Sequence, residues 1–143
     1  MKYVFILSLV AKLCACQTEI TEADLGAKTE FIIYPIYKDG KEVKDPFVFD
    51  AGEVVKGEII YVEFKMTNEG EIPLIINKIR PGCGCTNTTD APRNPIAPGD
   101  SYVIKAEVNT ATLSNKGKIK KNLRLDANVT PYPLELFITA DLK

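Results

Sequence analysis

Two cysteines separated by a single glycine, Cys83 and Cys85 within RPGCGCTN (Arg80 to Asn87), are the residues of this chain best suited to chemistry. Four roles fit a thiol pair at that spacing: a metal clamp, a redox couple, a strained disulfide, or two small side chains filling a tight turn. On a straight strand both thiols point to one face with Gly84 opposite, and their Cα atoms lie about 6.6 Å apart. That is the upper edge for a disulfide, so closing the bond calls for a bend at Gly84 through positive φ, with Pro81 and Gly82 favouring it. A ring that short is strained and easily reduced. Zinc wants four ligands, and the chain contains no histidine. Copper(I) accepts two soft thiolates, with Met66 as a third ligand. A thioredoxin-like pair has two intervening residues and a βαβ setting, neither of which is found here. The pair reads first as structural thiols, next as a disulfide, and only then as a metal or redox site.

The other two cysteines lie near the N-terminus. Lys2 precedes an apolar run, Tyr3 to Ala11, too short to span a bilayer as a helix, and then KLCAC. Leu13-Cys14-Ala15-Cys16 resembles the lipobox of bacterial lipoproteins, with Lys12 a departure from it. The resemblance implies that residues 1–15 are a signal peptide and that Cys16 carries lipid, anchoring the protein to the membrane rather than spanning it. Residues 16–28 then read as a polar tether and residues 29–143 as one domain. With Cys14 removed and Cys16 acylated, only Cys83 and Cys85 remain to pair, outside the reducing cytosol.

Composition excludes several functions. The 143 residues are 45% hydrophobic and 26% charged with a net charge of −1, so no electrostatic pull toward nucleic acid is expected. The missing histidine removes the usual general base near neutral pH. Ser101 and Ser114 have no base to activate them, and no two carboxylates suggest an acid–base cleft.

From Thr29 onward the apolar residues recur with period two. Ile60, Val62, Phe64 and Met66 alternate with Tyr61, Glu63 and Lys65, and Tyr102, Ile104, Ala106 and Val108 with Lys105 and Glu107. Ile119, Leu123, Leu125 and Ala127 share a face, as do Leu134, Leu136, Ile138, Ala140 and Leu142. Less regular strands are expected at Phe31 to Tyr37, where Pro35 predicts a sheet edge, at Phe47 to Phe49 and at Leu74 to Ile79. Turn chemistry falls at residues 38–41, 68–73, 97–100 and 130–133. Seven or eight antiparallel strands predict an all-β, immunoglobulin-like β-sandwich, with a barrel as the alternative.

Four elements in order carry a resemblance to the bacterial family called domain of unknown function 1573. They are Asp50-Ala51-Gly52, then Phe64 to Gly70 with Pro73-Leu74, then Cys83-Gly84-Cys85-Thr86, then Pro95 to Gly99. Ala51 stands where that family commonly has an aromatic residue. The resemblance spans most of residues 47–141. It implies an immunoglobulin-like domain of an exported protein, often a lipoprotein of Gram-negative bacteria, and supplies no reaction.

The expected function is therefore a non-enzymatic, lipid-anchored binding or scaffolding module of the cell envelope, in the periplasm or at the outer membrane, without a cofactor. Its partners are the membrane through Cys16 and an envelope protein or glycan. The candidate binding loop holds Arg80, Gly82, Gly84, Thr86 and Asn87. The alternative is a periplasmic thiol protein handling copper or electrons through Cys83 and Cys85. Three further features read as ordinary surface: the basic stretch Asn115 to Arg124, the NTT and NVT triplets at Asn87 and Asn128, and Tyr34, Tyr37, Tyr61, Tyr102 and Tyr132 as a sugar-stacking set.

Overall fold

The computed structural model describes residues 26–114 and 116–143. The expected signal segment, Cys16 and most of the tether lie outside the described residues. Eight strands form the domain: β1 (Phe31–Pro35), β2 (Val48–Val54), β3 (Ile59–Asn68), β4 (Ile76–Pro81), β5 (Thr86–Thr88), β6 (Ser101–Asn109), β7 (Gly117–Ala127) and β8 (Leu134–Leu142). They make two four-stranded sheets, ordered β1-β3-β6-β5 and β2-β8-β7-β4.

The alternation in the sequence is the reason for this arrangement. On β8 every even-numbered residue from Leu134 to Leu142 is buried, and on β3 every even-numbered residue from Ile60 to Asn68 is. A strand turns successive side chains to opposite faces, so each of these strands offers one apolar surface. Both sheets contribute to one hydrophobic core, where Phe49 of β2 meets Phe64 of β3 edge-on at 6.5 Å between ring centroids. Each fully buried Leu or Ile there stabilises by roughly 1.5–3 kcal/mol.

The structure departs from expectation in three strands. The pairing is not wholly antiparallel, because β2 runs parallel to β8. β2 also continues to Val54, across a register shift between Asp50 and Glu53 where Gly52 has φ +69°. That irregularity breaks the alternation which would have marked the strand. β4 begins at Ile76 and runs to Pro81, tolerated because β4 is a sheet edge. β5 is a strand of three residues inside what the sequence presents as a loop, too short to show a period. Pro35 does end an edge strand, since β1 pairs only with β3.

Asn68 ties the end of β3 to three other segments. It is fully buried, and its Nδ2 donates to Ile72 O (2.8 Å) and Ile96 O (2.9 Å). Its Oδ1 accepts from Thr29 Oγ1 (3.0 Å) and Gly70 N (3.1 Å), so both donors and both lone pairs of the amide are used. Leu74 and Ile96 exchange both backbone hydrogen bonds, at 2.9 and 2.8 Å. Gly70 packs so closely that a Cβ there would collide with Thr29 Oγ1 and lie 2.9 Å from Glu30 N. The recurring Asn-x-Gly, Pro-Leu and Pro-Ile elements are thus the joints of one corner of the fold.

Candidate functional site

The cysteine loop connects β4 of one sheet to β5 of the other. Cys83 and Cys85 are joined by a disulfide, with Cα atoms 5.3 Å apart. Both sulfurs sit beside the hydroxyl of buried Thr86, at 3.4 and 3.7 Å, and Thr86 N donates to Cys83 O (3.3 Å). Cys85 O accepts from Asn109 N at the end of β6 (2.9 Å). These contacts fasten the crossover between sheets. The bend does not use the left-handed region at Gly84, whose φ is not positive and around which an added Cβ would meet nothing within 4 Å. At Gly82 an added Cβ would collide with the side-chain amide of half-buried Asn122, which would have to turn aside. Arg80 and Asn87 are exposed on β4 and β5 respectively. Met66 is buried and pairs with Tyr102, seven residues before Asn109 on β6. At about 3.3 Å per residue it lies ~23 Å from the sulfurs, which removes it as a shared ligand.

A second site, not visible as a motif, lies where β1 stops. Thr110 N donates to Glu58 O and Asn68 N to Asp100 O, so the even-numbered residues of β3 bond toward β6. Ile36 N donates to Glu63 O, so the odd-numbered ones face the β1 side. The last paired residue of β1 is Pro35, opposite Phe64. Beyond it the N–H and C=O groups of Ile59 and Tyr61 point outward, and among the described residues none of these four groups has a partner. Ile59 is 43% and Tyr61 62% exposed.

Beside this open edge is a cavity of about 410 Å³, lined among others by Tyr37, Lys41, Phe49, Val54, Ile60 and Tyr61. Its wall is fixed by a compact network. Tyr37 stacks on Phe49 with ring centroids 4.8 Å apart. The Tyr37 hydroxyl accepts from Asp50 N (2.8 Å), and Lys41 Nζ donates to Asp50 O (2.7 Å) and to Asp50 Oδ2 (2.8 Å). The hydrogen bond from Lys41, followed by one from Gly52 N, holds the Asp50 carboxyl below its ordinary pKa. The same bond to Asp50 raises Lys41.

The remaining sequence candidates do not converge. Tyr34 and Tyr61 lie on the β1–β3 sheet, Tyr37 lines the cavity, Tyr102 donates to Asp90 O (2.8 Å), and Tyr132 lies beyond β7. Asn128 is buried, its amide bonded to Pro73 O (3.0 Å) and Ile75 N (2.7 Å), so it is another joint. In the basic stretch, Lys118, Lys120 and Arg124 face solvent, and Lys120 Nζ lies 3.9 Å from the Phe137 ring centroid.

The sequence matches the family described as "Protein of unknown function (DUF1573)" over residues 43–142. No curated protein matches it. Among solved structures it is similar to a protein of unknown function from Porphyromonas gingivalis W83, with a TM-score of 0.63, 17% identity and coverage of 82% of this chain and 48% of that one. It is also similar to a family 123 glycoside hydrolase from Clostridium perfringens, with a TM-score of 0.54, 7% identity and coverage of 80% and 27%. A third likeness is to the VesB protease of Vibrio cholerae, with a TM-score of 0.51, 13% identity and coverage of 67% and 30%. The chain spans about half the length of the first of these and less of the others, and at such identities the likeness is one of fold.

Proposed function

The chain belongs to the family described as "Protein of unknown function (DUF1573)", and on that basis we propose that it is a non-enzymatic binding module of immunoglobulin-like fold. It is held at the bacterial envelope by lipid on Cys16 and accepts an extended segment of a partner protein along the open half of β3. The strand order supports the fold assignment. β1-β3-β6-β5 follows the A-B-E-D order of an immunoglobulin sandwich and β4-β7-β8 the C-F-G order, with β2 added alongside β8.

The observation that carries the binding role is the run of unpartnered main-chain groups at Ile59 and Tyr61 beside the 410 Å³ cavity. An incoming strand would pair with them as a continuation of β1 and lay alternate side chains against Phe49 and Ile60, which is the mode of β-strand addition. The charged residues of the wall favour binding over acid–base catalysis. Asp50 is lowered and Lys41 raised, so both stay ionised around neutrality, whereas a general acid or base needs a pKa near the working pH.

The experiment selects displayed ten-residue peptides on the protein and on its Tyr61→Pro variant. The N–H of Tyr61 faces away from β6, so proline removes only the outward donor and an edge position tolerates it. Peptides with alternating apolar residues should bind the parent, protect the Ile59 and Tyr61 amides from exchange, and lose binding to the variant. Equal capture by a folded Tyr61→Pro protein refutes the reading. Labelling by radioactive palmitate should vanish in Cys16→Ser; persistent labelling would remove the proposed anchor.

A further inference from the structure

On the outer face of the other sheet, Arg80 of β4 and Arg124 of β7 are register partners. Gly82 N donates to Asn122 O two residues along the same ladder, so Arg80 and Arg124 form a hydrogen-bonded pair with Cα atoms about 5.5 Å apart. Like charges placed directly opposite weaken a sheet, and both side chains are exposed, so packing does not require this pair. Carboxylates lie close by. Glu135 is opposite Arg124 on β8, and Asp126 follows Arg124 on the same face of β7. Among the described residues, however, neither arginine forms an ion pair. Asp126 raises the pKa of the exposed Tyr132 hydroxyl, and Arg80 and Arg124 oppose that shift. Arg80, Arg124, Asp126, Tyr132 and Pro133 enclose a cleft of about 220 Å³.

We propose that this cleft binds a phosphate-type oxyanion between the guanidinium groups of Arg80 and Arg124, with the Tyr132 ring as its wall. Two planar forks approaching from opposed strands offer more parallel N–H donors than the two oxygens of a carboxylate can use, and a tetrahedral oxyanion meets both. With no ion pair to a carboxylate among the described residues, the arginines are available to the ligand. The cleft is smaller than the roughly 300–1,000 Å³ of pockets that enclose a whole small molecule, so it takes a head group while the rest of the ligand extends into solvent. The phosphate can be free, on a soluble phosphorylated compound, or on a lipid head group.

The test titrates the full-length protein at low salt with inorganic phosphate, glycerol 3-phosphate, and vesicles of phosphatidylcholine with and without phosphatidic acid. It compares the parent with Arg80→Gln, Arg124→Gln, Arg124→Lys and the charge-matched control Lys44→Gln. Saturable shifts of the Tyr132 and arginine side-chain resonances are expected. Either glutamine variant should weaken binding by at least about tenfold, Arg124→Lys should weaken it through loss of the fork, and Lys44→Gln should leave it unchanged. Arg124→Gln should melt no lower than the parent, since it relieves an opposed like-charge pair. Binding to the soluble phosphates alone identifies a soluble source, and binding that needs phosphatidic acid identifies a lipid head group. Absence of saturable binding to every probe, or equal weakening by Lys44→Gln, overturns the proposal.

Discussion

Replacing Asn68 by alanine should destabilise the domain by about 4 kcal/mol, counting its four side-chain hydrogen bonds at about 1 kcal/mol each. The groups left behind keep a second partner. Ile72 O still accepts from Thr29 Oγ1 (3.3 Å), Ile96 O from Leu74 N (2.9 Å), and Gly70 N still donates to Glu30 O (3.1 Å). No orphaned buried group therefore adds its larger penalty, and the loss scales with the number of bonds. Asn128→Ala also removes two bonds, but Ile75 N and Pro73 O have no other partner among the described residues, so the larger penalty of about 1–3 kcal/mol per orphaned group applies there. The assay is urea unfolding followed by far-UV circular dichroism, suited to a chain with no tryptophan, with the slope m expected unchanged. A loss at Asn68 below about 1 kcal/mol would refute the assignment of Asn68 as the central joint of this corner.

The two glycines of the cysteine loop should behave differently. Gly82→Ala forces the Asn122 side chain to turn aside and should cost about 0.5–1.5 kcal/mol, whereas Gly84→Ala should stay within about 0.5 kcal/mol by the same melts. The Cys83–Cys85 ring closes only residues 83–85, so a double change to serine should cost about 1.6 kcal/mol by loop closure. Native mass spectrometry of the untreated protein should find it two hydrogens light and without metal, and a metal adduct lost in the double variant would make the thiols a ligand set. Asp50 should titrate below an ordinary aspartate by carboxyl carbon NMR, and Lys41→Met should move it upward; an unmoved midpoint would deny the pair its role. Because the folded Asp50 is lowered, its contribution to stability is complete above the ordinary aspartate range and fades as pH falls through the folded value. Lys41 is raised, so its contribution is complete below the ordinary lysine range and is lost as pH climbs through the folded value.

What the sequence alone determined is the local part of the fold. Alternation on β3, β6, β7 and β8 assigns buried and wet faces because period two is a property of a single strand, and Leu134–Leu142 needed nothing else to be found. Pro35 likewise marked an edge strand, since proline has no N–H to give a second neighbour. Tertiary structure decided everything that depends on which segment lies beside which. The parallel partnership of β2 with β8 brings together residues 89 apart, and the three-residue β5 exists only through β6. The cavity assembles Tyr37, Phe49 and Tyr61 from three separate segments, and the free main-chain groups at Ile59 and Tyr61 are unpaired only because β1 turns away at Pro35. The thiols drew notice by their spacing, yet their surroundings make them a fastening of the crossover. Arg80, in the candidate binding loop, and Arg124, in the basic stretch read as ordinary surface, stand far apart in sequence and become a facing pair only in the register of β4 with β7. Side-chain period is written into each strand, whereas strand pairing is settled by the common burial of both sheets' apolar faces.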